Sequence, residues 1–143
     1  MEKCFTRAWG VHPETHKRPA ADVPTRTLPV PERLYVSLSQ HLGAPARPAV
    51  LVGQKVRKGD KIADPQGAVS AALHAPTSGT IVAIGEIPAP HPSGLPVLAI
   101  TLASDGKDEW TDLEGCADPF ALAPAEISQR VAAAGVVGLG GAT

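Results

Sequence analysis

At 143 residues, 43% hydrophobic and 19% charged, the chain can bury one globular core and is too apolar for intrinsic disorder. A formal net charge of −1, with no block of like charges, lacks the electrostatic footprint of a nucleic-acid binder. Fifteen prolines and fourteen glycines predict many turns and short strands, and with aromatics at 3% the core has to be built from Val, Ile, Leu and Ala.

Residues 1–33 are rich in Pro, Thr, Arg and Ala without a sustained period, and are predicted to form an extended arm against a neighbouring core. Their first ten, MEKCFTRAWG, lack the apolar region of a signal peptide. Strand signals follow at 34–38, 49–52, 61–63, 69–73, 80–84 and 97–102, most of them bounded by Gly or Pro, the punctuation of a small barrel or sandwich. The polar run 104–114 (SDGKDEWTDLE) reads as a loop around an Asp-Gly turn. A helix is predicted over 124–134: Pro124 suits its first position, Ile127, Val131 and Ala134 share one face, Glu126 and Arg130 sit four apart, and Gly135 ends it. The longest run without polar side chains, 131–142, is too short to span a bilayer, so membrane association is expected only through partners.

The most informative segment is VGQKVRKGDKIA (52–63) followed by HAPTSGTIVAI (74–84). Gly53 and Gly59 permit turns, with Val56 and Ile62 pointing inward between them. The second motif is a strand entering a Pro-Thr-Ser-Gly turn and leaving as a buried strand, and the pair closes a flattened barrel of two interlocked sheets with little unpaired edge. Over about residues 49–102 this resembles the lipoyl/biotinyl carrier domains, with VGDxVxKGQxL, a hairpin bearing the modified lysine, then xAPxSGxV. The resemblance places that lysine about eight residues before Pro76, where this chain has Gly67, Ala68 and Val69, and no lysine occurs between Lys61 and Lys107. A swinging arm needs a primary amine at the tip, and Ala68 offers none. Lys61 is expected to lay its stem on apolar surface with its charge in water.

Further segments narrow the resemblance. GVHP (10–13), LPVPERL (28–34), VSLSQHLGAP (36–45), HAPTSGT (74–80), APHPSG (89–94), DGKDEW (105–110) and GVVGLGGA (135–142) together look like the N-terminal region of the C subunit of the Rnf complex, a membrane-bound ion-translocating ferredoxin:NAD oxidoreductase. The fold implied is mainly β, a barrel-sandwich hybrid over 34–114, with an N-terminal arm over 1–33 and, over 115–143, a linker, one helix and the start of a truncated flavin/nucleotide-binding domain. The resemblance implies a structural role in this piece, FMN and 4Fe-4S clusters in the full-length protein, the other Rnf subunits as partners, NAD(H) bound through the missing domain, and a peripheral place on the cytoplasmic face of the inner membrane. Gly138, Gly140 and Gly141 match the start of the family's cofactor motif, where missing Cβ atoms let backbone N–H groups approach a phosphate or flavin. The Phe-Pro that follows in the family is absent after Thr143, so the chain reads as cut. The A subunit of the sodium-pumping NADH:quinone reductase is the alternative in the same class; an unmodified carrier-like scaffold and an export-system adaptor are the others.

No catalytic or metal-ligating residue is expected. Cys4 and Cys116 lie far apart and read as ordinary reduced thiols, too few for one iron–sulfur cluster. His12, His41, His74 and His91 show no zinc spacing; His12 and His91 precede prolines in turns, His74 enters the Ser-Gly turn, and His41 is expected to bond backbone carbonyls. Asp60 and Asp64 read as surface turn residues, and Ser78-Gly79 as a turn without the surrounding pattern of a nucleophile elbow. The proline-rich loop 87–94 is read in two ways, as a docking surface or as a structural loop over an open end of the barrel.

Overall fold

The computed structural model describes residue 14 and residues 16–138. Alternation decides its principal sheet. Strand β1 (Arg33–Ser37) turns Val36 towards the core and Tyr35 outward, while β6 (Gly79–Pro88) and β7 (Pro96–Ser104) form a long antiparallel hairpin whose buried residues include Ile81, Ile100 and Leu102. Pairing runs from Gly79↔Ser104 to Pro88↔Pro96 in the hairpin, and from Arg33↔Ala103 to Ser37↔Ala99 between β1 and β7. The short β3 (Lys55–Val56) closes the other side, giving the order β1-β7-β6-β3. A second antiparallel sheet, β2-β4-β5, is built from β2 (Arg47–Pro48), β4 (Lys61–Asp64) and β5 (Leu73–His74). Before these comes a single-turn helix α1 (Arg18–Ala21); after them come a 3-10 turn at Pro119–Ala121 and helix α2 (Pro124–Ala133).

The core is aliphatic, as the composition requires: Leu38, Val50, Val56, Ile62, Leu73, Ile81, Ile100 and Leu102 pack with Ala46, Ala63 and Ala75. Val56 and Ile62 both lie inside, the positions predicted from the glycine turns beside them. Each fully buried Ile or Leu contributes roughly 1.5–3 kcal/mol relative to exposure, and a small domain depends on several of them.

Three expectations shift. Residues 49–52 are a turn, with Leu51 and Val52 exposed, because Gln54 takes both polar groups of Leu51: its side-chain oxygen accepts the Leu51 N–H (3.0 Å) and its own N–H donates to the Leu51 carbonyl (3.1 Å). Residues 69–73 give strand only from Leu73, because the Val69 carbonyl accepts from the Ala44 N–H (2.9 Å) instead of from a strand neighbour. The short strand β3 lies outside the predicted set; Val56 is the one apolar residue between basic neighbours. Helix α2 carries the predicted Glu126–Arg130 pair (3.2 Å) and stops at Gly135 (φ +67°), but Ile127 and Val131 remain about half exposed.

Candidate functional site

Two places can carry function in this fold: the β4–β5 tip, where carriers bear their cofactor, and the junction where the chain beyond β7 folds back on the glycine turn of 53–59.

The tip, Gly67-Ala68-Val69, is exposed, and Gly67 takes the left-handed conformation (φ +77°) that the turn requires. It is braced from one side by the segment after β1. The Ser70 hydroxyl donates to the Ala44 carbonyl (2.8 Å), and a Cβ on Gly43 would collide with the Val69 carbonyl. The His41 ring lies between two backbone amides, Gly43 N–H at Nδ1 (3.0 Å) and Ala71 N–H at Nε2 (3.2 Å). A neutral imidazole has one acceptor nitrogen, so the two amides compete for it. The ring therefore meets amides rather than the carbonyls expected of it. Lys61 is the nearest lysine, and its ammonium is held on the strand by Asp64 (2.6 Å), which keeps the Asp64 carboxyl below its ordinary pKa. The tip presents no amine.

At the junction, Ser78 is buried; its hydroxyl donates to Asp105 (2.7 Å) and accepts the Glu109 N–H (2.9 Å). The Lys58 ammonium pairs with Asp108 (2.7 Å) and sits 4.8 Å from the Trp110 ring centre. Backbone bonds between Lys58 and both Glu109 (2.8 Å) and Thr111 (2.9 Å) complete the clasp, and Gly59 lets Trp110 lie close. Asp108 stands at φ +53°, a conformation that Asp tolerates better than most residues. The Lys107 N–H, then the Ser78 hydroxyl, lower the Asp105 pKa; the Lys58 ammonium, then the Thr77 hydroxyl, lower that of Asp108. Thr77 Oγ1 and Asp108 Oδ1 are shut off from solvent without a partner at hydrogen-bond geometry, yet the hydroxyl lies close enough to act on the carboxyl.

The cleft over this junction, about 730 Å³, is lined by three cations (Lys55, Arg57, Lys107) and three acids (Asp60, Asp105, Glu109) and so favours no one charge of ligand. The Ser78 hydroxyl is 2% exposed and is committed on both sides, donating to Asp105 and accepting from the Glu109 N–H, an arrangement that locks the loop after β7 to the Ser-Gly turn. Asp64, Asp105 and Asp108 have depressed folded pKa values, so their contribution is complete above the ordinary value near 3.8 and is lost as pH falls through the lower folded values. Urea midpoints measured between pH 5 and pH 2 should therefore fall, and fall less steeply in Asp105→Asn.

The other sequence candidates stay apart. His91 lies in the β6–β7 turn, its Nδ1 3.1 Å from the Ser93 hydroxyl; His74 is half-buried on β5, near Gly135; Cys116 is exposed. Asp60 caps its own turn by accepting the Arg57 N–H (2.7 Å). Among the described residues no group of three or more His, Cys, Asp or Glu could hold a metal ion, and no helix is long and apolar enough to cross a membrane. Gly138 follows α2; Gly140 and Gly141, with Cys4 and His12, lie outside the described residues. Sequence reasoning missed the clasp because its partners are 27 to 50 residues apart and no local pattern joins them.

A two-sheet β-sandwich with paired glycine turns defines a carrier-type domain, here with Gly67, Ala68 and Val69 at the tip in place of a lysine. Residues 5–107 match the family of RnfC barrel-sandwich hybrid domains, and the chain belongs to that family. The C subunit of the ion-translocating oxidoreductase complex of Pseudomonas aeruginosa is 55% identical over 127 residues, 89% of this chain and 16% of the relative. The protein of the same name from Rhodobacter capsulatus is 47% identical over 139 residues (97% and 27%). The C subunit of the proton-translocating ferredoxin:NAD(+) oxidoreductase complex of Clostridium ljungdahlii is 39% identical over 135 residues (94% and 29%). The chain thus spans less than a third of these relatives. Their names do not favour the A subunit of the sodium-pumping reductase.

Proposed function

We propose that this chain is a non-catalytic spacing and assembly domain of an electron-transfer subunit in an ion-translocating ferredoxin:NAD oxidoreductase complex. The observation that carries the reading is a carrier fold kept intact while the one group a carrier needs is missing: Ala68 stands at the tip and Lys61 is tied to Asp64. A rigid β-body without a swinging arm can set a distance and present surfaces. The arm (1–33), the barrel (34–114) and the helical linker (115–143) divide that work. FMN, 4Fe-4S clusters and NAD(H) belong to the remainder of such a subunit, with Gly138, Gly140 and Gly141 at the near edge of its flavin or nucleotide site. The other subunits are the barrel's partners, and the domain lies peripherally on the cytoplasmic face of the inner membrane.

The test removes residues 34–114 from the full-length subunit within its complex. Expected is loss of ferredoxin:NAD electron transfer and of co-purification with the other subunits, while the remainder still passes electrons from NADH to a soluble dye. Retention of the complex and its coupled activity would refute the reading. A second test is intact-mass measurement after expression in a lipoylating and biotinylating host. The unmodified mass is expected; an adduct of either cofactor would restore the carrier alternative.

A further inference from the structure

His41 meets two donors with a ring that can satisfy one of them. The Gly43 N–H reaches Nδ1 (3.0 Å) and the Ala71 N–H reaches Nε2 (3.2 Å). A neutral imidazole has one acceptor nitrogen, and the imidazolium has none. In no protonation state are both amides paired, so the arrangement is decided by which amide can least go without. Gly43 is half-buried and its bond is local, two residues along the chain, so water can stand in for Nδ1. Ala71 is 8% exposed, and a buried N–H left without an acceptor bears the full cost of its lost hydration. The resting ring therefore carries its proton on Nδ1 and offers Nε2 to Ala71.

That bond is one of three that pin the β4–β5 tip to the segment after β1. The Ala44 N–H donates to the Val69 carbonyl (2.9 Å), and the Ser70 hydroxyl donates to the Ala44 carbonyl (2.8 Å). The two segments abut so closely that a Cβ on Gly43 would collide with the Val69 carbonyl. They cannot slide, so any loosening moves them apart as a unit. The seam holds no other group that titrates: residues 39–45 contain no titratable side chain except His41, and residues 67–72 contain none. Before the tip, the Asp64 carboxylate is held by the Lys61 ammonium (2.6 Å), with Arg47 opposite it across β2 and β4. After the tip, His74 on β5 lies beside Gly135.

We propose that His41 is a proton-operated latch on the tip: the neutral ring clasps residues 69–71 against residues 41–44, and uptake of a proton at Nε2 frees them. The second proton removes the acceptor from the Ala71 amide and sets two N–H groups against each other. Neither segment has a carboxylate to stabilise the imidazolium. A proton thus binds the freed tip and not the clasped one, which is the differential affinity that a two-state switch requires. The hairpin end on which carriers bear their cofactor is here held or released by charge. The latch stands independently of the assembly role above.

The experiment follows amide exchange and the histidine ring nitrogens of the nitrogen-15-labelled chain from about pH 8 to about pH 5, the range in which imidazoles change charge. Expected at the upper end is a His41 ring with its proton on Nδ1. As the ring gains its second proton, protection of the Ala71 and Ala44 amides is expected to fall at least about tenfold, in step with the ring signals. The Ile81 amide, bonded to the Gln54 carbonyl on the principal sheet (2.8 Å), keeps its protection. His41→Gln sets an amide oxygen near the Nε2 position and is expected to keep Ala71 protected at both ends of the range. His41→Asn sets it near Nδ1, within reach of Gly43 only, and is expected to leave Ala71 unprotected at both. His74→Gln is expected to leave the wild-type transition in place. Unchanged Ala71 protection on protonation of His41, a loss shared equally by Ile81, like behaviour of the Gln and Asn variants at His41, or disappearance of the transition in His74→Gln each overturns the latch. If His41→Asn does not fold, the wild-type series decides alone.

Discussion

Replacing Ile100 by Ala is expected to lower the stability of the domain by about 3 kcal/mol, within the usual range of roughly 2–5 kcal/mol for a large aliphatic residue cut to alanine in a core. Ile100 is fully buried at the centre of β7 and stands between Val36 on β1 and Ile84 on β6. Its side chain is the shared contact of three strands, and the backbone pairing on both sides resists collapse into the space left. The loss combines transfer of the missing carbons with the cavity that remains. At an m-value of about 1–3 kcal/mol per molar urea, the midpoint falls by roughly 1–3 M with unchanged slope. Ile100→Val, which removes one methyl group, is expected to cost about 1 kcal/mol. An Ile100→Ala midpoint within a few tenths molar of the parent would show that the two sheets do not share one cooperative core.

Much of this architecture is legible in the residues because the local signals agree. β1, β4 and β7 fall within a residue or two of their predicted places, since each has alternating or continuous aliphatic residues bounded by turn formers. The inward positions of Val56 and Ile62 follow from the glycine turns, and α2 follows from Pro124, the 126–130 pair and Gly135. What escaped was decided by partners distant in sequence. Residues 69–72 have strand-like composition, yet their hydrogen bonds are taken by Ala44 and His41, about thirty residues earlier. The half-exposed face of α2 has the spacing of a packed helix, and spacing alone does not say that a neighbour is present.

The candidate sites divide in the same way. The missing amine at Ala68 is a one-residue fact and could be read directly. The clasp of Lys58, Ser78, Asp105 and Asp108 could not, because it joins the glycine turn, the Ser-Gly turn and the loop after β7 in three dimensions.

Gly79→Ala is expected to be a damaging exchange despite adding only a methyl group. Gly79 begins β6 in a backbone conformation open to any residue, so the demand for glycine is spatial. A Cβ there would collide with the Ala103 carbonyl oxygen and lie 3.1 Å from the Ser104 Cα, both of them backbone atoms of a paired strand that cannot rotate aside. Relief requires β6 and β7 to separate at the end where Val56 pairs with Gly79 and where the neighbouring Ser78 holds Asp105. The cost of such overpacking is typically about 1–3 kcal/mol, and the upper half is expected because no side chain can yield. The lesion should reach the clasp as well, so amide exchange at Lys58 and Thr111, which bond across the junction, is expected to quicken more than exchange at Leu38 on the far side of the sheet. Gly85→Ala is the matched control six residues along the same strand. Nothing lies within 4 Å of its added Cβ, so it is expected to be neutral or to stabilise by up to about 1 kcal/mol through the unfolded chain. Equal midpoints for the two alanine variants would mean that the strands part at Gly79 without cost, and that the turn after Ser78 is held by the clasp alone.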